Sequence, residues 1–239
     1  MEQIYTIPVH EAFEAGVRGD EGASCPFCRL HNRLENQELD RILGAAMMEP
    51  DVRIDTNRYG FCDVHFARLL GHGKRLSLAL MLESHMDEVL KRSPDAGLMP
   101  GAAGKDAVRK LGEVTETCYL CGRIGTTFRA MVETAALLWE KEEAFRSLCL
   151  GQKQYCLPHY VAFLRAAKER LSGRDFAAFY KAISAKENET IETLGDEVSW
   201  FCKKFDYRYE NEPWNGCKDA PERAILFLTG DLHREEEKA

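Results

Sequence analysis

The chain is expected to fold as an all-α protein made of two similar helical repeats and a short C-terminal helix. Three observations predict this: apolar residues recur at helical intervals, no stretch alternates with a period of two between turn signals, and one cysteine/histidine pattern occurs twice. At 239 residues, 45% apolar and 30% charged, the sequence is rich enough in apolar residues for a substantial core.

In chain order, a short amphipathic segment, Val9 to Val17, precedes the first motif, Cys25-Pro-Phe-Cys28. After it, Leu30, Leu34, Ile42, Leu43, Ala46 and Met47 form a helical stripe that should stop before Pro50. Cys62-Asp-Val-His65 then sits on a second helix, and Leu76 to Lys91 forms a third, closed by Ser93-Pro94. The segment Ser93 to Lys105, rich in Gly, Pro and Ala, reads as a linker. The second half repeats the series. Val108 to Val114 leads, Cys118-Tyr-Leu-Cys121 follows, and Ala130, Val132, Ala135, Leu138 and Trp139 mark the next helix. Cys156-Leu-Pro-His159 and a long helix from Arg174 to about Trp200 complete it. Asp219, Pro221, Glu222 and Gly230 carry the start and stop signals of a last helix. The expected division is 1–92 and 106–204 as the two repeats, 93–105 as linker and 205–239 as tail.

The repeat is defined by its chemistry. Cys25, Cys28, Cys62 and His65 recur as Cys118, Cys121, Cys156 and His159 at offsets of 93 or 94, with 33 and 34 residues between the pairs. With Cys28/His31, five pairs of Cys followed three residues later by Cys or His occur, where chance would supply roughly 0.6. Thiolate and imidazole are the ligands zinc prefers, and residues three apart on a helix share a face. Each repeat therefore offers a complete Cys3His set, and two zinc ions per chain are expected. Each ion would staple its own repeat, although spacing alone also permits a Cys-x-x-Cys of one repeat to join the Cys-x-x-His of the other.

A Cys3His set leaves no tetrahedral position for water, which favours a structural over a hydrolytic role. No Ser/His/Asp signature, phosphate-cradling glycine loop or His-Glu-x-x-His helix is present, so no catalytic residue is assigned. His31, whose counterpart is Ile124, reads as a neighbour of the ligands rather than one of them. Cys149, Cys202 and Cys217 lie outside the repeat as ordinary thiols, and of these Cys217, beside Lys218 and Arg223, is the candidate reactive cysteine. In the tail, Tyr207, Tyr209 and Trp214 either pack across the helical seam or form a recognition surface.

Taken together, Cys-Pro-Phe-Cys-Arg-Leu, Tyr-Gly-Phe-Cys-Asp-Val-His-Phe, Cys-Tyr-Leu-Cys, Tyr-Cys-Leu-Pro-His-Tyr and Asp-Tyr-Arg-Tyr with Glu-Pro-Trp resemble a bacterial family of unknown function over almost the full chain. The resemblance implies metal ligation by the eight residues and implies no reaction.

A net charge of -7 argues against broad phosphate neutralisation, so nucleic acid is not an expected partner. The longest apolar run is too short to span a bilayer, and the start lacks a basic region followed by an apolar one. The expectation is a cytoplasmic zinc scaffold or interaction protein with a protein partner and no enzymatic activity. The alternative is a zinc-thiolate enzyme or redox sensor with labile zinc or a reactive cysteine.

Overall fold

The computed structural model describes residues 3–20, 22–95, 97 and 99–234. Every regular element among them is helical. The first five α-helices are α1 (Thr6–Arg18), α2 (Pro26–Ile42), α3 (Pro50–Tyr59), α4 (Asp63–Gly71) and α5 (Arg75–Arg92). They recur as α6 (Pro100–Thr115), α7 (Tyr119–Lys141), α8 (Glu143–Gly151), α9 (Leu157–Arg170) and α10 (Gly173–Lys203), and α11 (Ala220–Thr229) closes the series. No helix among the described residues is long and apolar enough to cross a membrane.

Local sequence explains most boundaries. The stripe after Cys28 ends with α2 at Ile42, and a 3-10 turn (Ala45–Met48) carries Ala46 into the core. Pro50 then opens α3, because a proline at the first helical position loses no intrahelical hydrogen bond. Ser172 caps α10 by accepting a hydrogen bond from the Asp175 amide at 3.2 Å. Pro100, placed by its sequence in the linker, instead starts α6, so the linker is shorter than expected. Of the linker residues, 96 and 98 lie outside the described ones.

The chain forms two compact units that do not follow the two sequence repeats. Unit 1 comprises Met1–Asn32 with Phe128–Ala239, and unit 2 comprises Arg33–Thr127. The boundaries fall inside α2 and α7 rather than in the linker. The repeats 1–92 and 106–204 divide the sequence, whereas the compact units divide the chain differently. The physical reason is an exchange of leading segments. Helix α1 of the first repeat packs against α8 of the second, where Phe13 and Phe145 stand 4.8 Å apart and Gln152 Nε2 donates to the Phe13 carbonyl at 2.8 Å. Reciprocally, the segment after α6 joins the first repeat, Thr117 Oγ1 donating to the Tyr59 carbonyl at 2.8 Å and the Tyr119 amide to the Gly60 carbonyl at 2.9 Å.

Each unit has its own core. In unit 1 fully buried aromatic rings interlock: Phe13 and Phe27 at 5.3 Å, Phe27 and Phe163 at 5.0 Å, and Phe163 and Phe179 at 4.8 Å. Edge-to-face pairs of this kind add about 0.5–1.5 kcal/mol beyond the area they bury. The unit 2 core is mostly aliphatic, built from Leu39, Ile42, Leu43, Leu69, Leu78, Met81 and Leu120 with Phe61 and Tyr119.

The aromatic tail winds around a lysine. Lys204 Nζ donates to the carbonyls of Tyr209, Glu210 and Glu212 at 2.6, 2.9 and 2.6 Å and stands 5.4 Å from the Trp214 ring centre. Trp200 Nε1 donates to the Pro213 carbonyl at 3.0 Å. Tyr209 packs on Trp200 and Trp214 on Phe201, whereas Tyr207, expected either at a seam or on a surface, is 85% exposed beside Phe205 at 76%.

Candidate metal centres

Each of the four motifs is a helix start. The carbonyls of Cys25, Cys62, Cys118 and Cys156 accept the first i+4 bond of their helices, from Arg29, Phe66, Gly122 and Tyr160 at 3.2, 2.9, 3.1 and 2.8 Å. The first residue of each pair therefore occupies the N-cap and the second lies one turn on, so both side chains leave the same end. The positive ends of two helix dipoles meet at each cluster, a setting that favours thiolates.

The eight residues gather into two groups of four. Cys25, Cys28, Cys156 and His159 lie in unit 1; Cys62, His65, Cys118 and Cys121 lie in unit 2; in each group the ligand atoms are all within 4.8 Å of one another. The pairing thus crosses the repeats, the second of the two arrangements that the spacing permits, and not the one in which each repeat is stapled by its own four residues. The cause is the exchange of leading segments, which delivers each Cys-x-x-Cys to the other repeat's Cys-x-x-His.

The spacing within the groups fits a tetrahedral ion. With metal–sulfur bonds of about 2.3 Å and metal–nitrogen bonds of about 2.0–2.1 Å, the edges of a tetrahedron are about 3.8 Å between sulfurs and about 3.6 Å from sulfur to nitrogen. In unit 1, Cys28 Sγ lies 3.6 Å from Cys156 Sγ, and His159 Nδ1 lies 3.8, 3.3 and 3.2 Å from the sulfurs of Cys25, Cys28 and Cys156. In unit 2, Cys62 Sγ lies 3.8 Å from Cys121 Sγ, and His65 Nδ1 lies 3.2, 3.3 and 3.4 Å from the sulfurs of Cys62, Cys118 and Cys121. Both clusters can hold a metal ion.

Electrostatics point the same way. Hydrogen bonds from the Cys25 and Cys28 thiols outweigh burial and hold Cys156 down at about 4, while the Cys28 thiol is pushed far up by Cys156, Cys25 and burial. In unit 2 burial raises Cys118, but His65 and the Cys121 amide pull it down to about 6; burial and the neighbouring Cys118 charge push Cys121 up. Burial opposes charging His65, yet Cys118, Glu35 and Cys62 carry it to about 10. One thiol in each group ionises at the expense of its neighbour, and a dication would relieve that competition.

Around the ligands the two centres differ. In unit 2 the fully buried Glu35 places Oε1 3.1 Å from His65 Nε2, and Arg68 Nε stands 3.6 Å from the other carboxylate oxygen. A carboxylate behind a ligating imidazole fixes its tautomer and raises its basicity. At the corresponding place in unit 1 Phe128, 93 residues after Glu35, sets its ring 5.0 Å from that of His159. Unit 1 is instead closed by backbone. The Asp231 amide points at Cys28 Sγ from 3.4 Å, and Asn32 Nδ2 holds the Asp231 carbonyl at 2.8 Å. Gly230, at φ 87°, lies so close that a Cβ there would meet Cys156 Sγ and Cys28 Sγ at 3.4 and 3.5 Å. All four unit 1 ligands are buried, whereas in unit 2 Cys121 is exposed.

Of the other singled-out residues, His31 joins neither group of four and packs on Phe128 at 5.6 Å. Cys149 and Cys217 are buried, and Cys202 is exposed. Burial raises the Cys149 thiol. Sequence reasoning missed Glu35 and Gly230. Glu35 sits two turns after Cys28 on α2, where the repeat alignment already sets a carboxylate against a phenylalanine. It also missed Glu187, fully buried on α10 and raised to about 7 mainly by burial, which accepts a hydrogen bond from the Tyr155 amide at 3.4 Å.

A family model described as "Family of unknown function (DUF6062)" matches residues 1–235. No curated protein and no solved structure matches the chain.

Proposed function

We propose, for a chain that belongs to the family of unknown function DUF6062, that it is a cytoplasmic zinc protein whose two ions close its fold and leave its surface free for a protein partner. Cys25, Cys28, Cys156 and His159 ligate one zinc, and Cys62, His65, Cys118 and Cys121 the other. The observation that carries this reading is the crossed pairing: each group joins a helix start of one repeat to a helix start of the other. An ion at that junction holds the exchanged segment in place. Three thiolates and an imidazole are a donor set suited to zinc, and four protein ligands leave no position for a reacting water. A structural role follows, with the free energy of binding contributing directly to folding.

The partner half of the proposal is supported by the tail. Phe205 and Tyr207 stand out beside a loop that Lys204 and Trp200 hydrogen-bond, and exposed aromatic side chains of this kind serve as anchors in protein interfaces. Elemental analysis with native mass spectrometry of the full chain tests the zinc assignment. The expected result is two zinc ions per chain; a chain that folds without metal, or that carries iron and sulfide, contradicts it.

A further inference from the structure

The two metal centres are unequal in what can reach them, and the difference is written into the repeat. Cys28 is followed by Arg29 and Asn32, and Cys121 by Gly122 and Gly125 at the same offsets. Asn32 is the residue that fastens the Gly230–Asp231 strap over the sulfurs of unit 1. Its counterpart Gly125 fastens nothing: a Cβ placed on Gly122 or Gly125 would find no atom within 4 Å. In unit 2 the helix face carrying Cys121 is therefore bare, while Cys25, Cys28 and Cys156 are all buried. Cys62 Sγ waits 3.8 Å from Cys121 Sγ, within a short displacement of disulfide distance. Behind the ligand His65, the Glu35 carboxylate adds negative charge to a cluster that already holds three sulfurs, which strengthens their nucleophilicity.

Resting on the zinc reading above, we propose that the unit 2 centre is a peroxide-responsive switch, with Cys121 as the point of attack and Cys62 as the resolving thiol. A ligating thiolate needs no deprotonation to react. The Cys121 sulfur attacks one peroxide oxygen; an S–O bond forms, the O–O bond breaks, and hydroxide leaves. Cys62 sulfur then attacks Cys121 sulfur; an S–S bond forms, the S–O bond breaks, and a second hydroxide leaves. The two sulfurs lose two electrons, the peroxide gains two, and the hydroxides take two protons from solvent to become water. Two of the four ligands are then spent, and the unit 2 centre releases its ion while the strapped unit 1 centre keeps its own.

The test uses the full chain, its metal counted first, treated with hydrogen peroxide up to one equivalent. Metal release is followed with a chromophoric chelator and thiol oxidation by peptide mass mapping. The expected result is loss of one ion of two, a Cys62–Cys121 disulfide, and intact Cys25, Cys28 and Cys156. Exposed Cys202, which belongs to neither cluster, serves as the internal reference and should oxidise roughly tenfold more slowly than Cys121. Gly125→Leu alters no ligand, and a side chain at that position leans back over the preceding turn toward Cys121. It should keep two ions and slow release about fivefold or more. Oxidation of the unit 1 cysteines first or in step, Cys202 reacting ahead of Cys121, or no slowing in Gly125→Leu would each overturn the switch. Those results leave two ions in the untreated protein and so leave the zinc reading standing; an untreated chain without metal sinks both.

Discussion

Two residues shape the centres, and a third, the buried carboxylate Glu187, sets a pH dependence of stability. Glu35 is a fully buried carboxylate whose role is to hold His65, so Glu35→Gln should weaken zinc binding in unit 2 by about 10–100-fold and leave unit 1 unchanged. Competition with a chelator, read as two separate release phases, checks this. Gly230 combines a positive φ with close approach to two sulfurs, so Gly230→Val should cost about 1–3 kcal/mol and loosen the unit 1 metal. A lowered melting temperature with earlier loss of that ion is the expected reading. Glu187 titrates at about 7 when folded and near 4.5 when unfolded, because burial disfavours its charge. Between those values the folded chain holds the extra proton, so this residue's contribution falls as pH rises and its penalty is complete above pH 7. Glu187→Gln should therefore stabilise the protein at pH 8 by on the order of 2 kcal/mol, with the gain vanishing toward pH 4. Thermal melts of both proteins across that range measure it; a gain larger at acid pH would contradict the assignment.

At the level of elements, the four motif-bearing helix starts were legible because a Cys-x-x-Cys or Cys-x-x-His at an N-terminus constrains its own backbone. The stripe ending before Pro50, the long helix of 173–203 and the Pro221-to-Gly230 helix were legible from the same local signals. Their assembly was not. Which Cys-x-x-Cys meets which Cys-x-x-His depends on where α1 and α6 pack, and a Phe13 ring is equally apolar against either repeat; only the three-dimensional fit to Phe145 and Gln152 chooses. Pro100 and the small residues after it read as a linker because Gly and Ala carry little pattern, yet α6 starts there, with the proline at a helix start that needs no amide and alanines that favour the helix. The tail loop was likewise invisible, since its organising interaction is one lysine with three main-chain carbonyls. Lys204→Met should release those carbonyls and expose Trp214, and a red shift in tryptophan emission with faster amide exchange over 205–216 would register it.

Across the whole molecule, a duplicated chain has exchanged its leading segments, and each exchanged segment ends at a cluster of four side chains that can hold a metal ion. This arrangement makes a definite prediction about which ligands share an ion. Double substitution within one repeat, Cys25→Ala with Cys62→Ala, removes a ligand from each centre; double substitution across repeats, Cys25→Ala with Cys156→Ala, removes two ligands from one centre. The most direct measurement is the zinc content of these two variants by native mass spectrometry. The crossed arrangement predicts that the across-repeat variant keeps one tightly held ion and the within-repeat variant keeps none. One ion in the within-repeat variant and none in the across-repeat variant would contradict it.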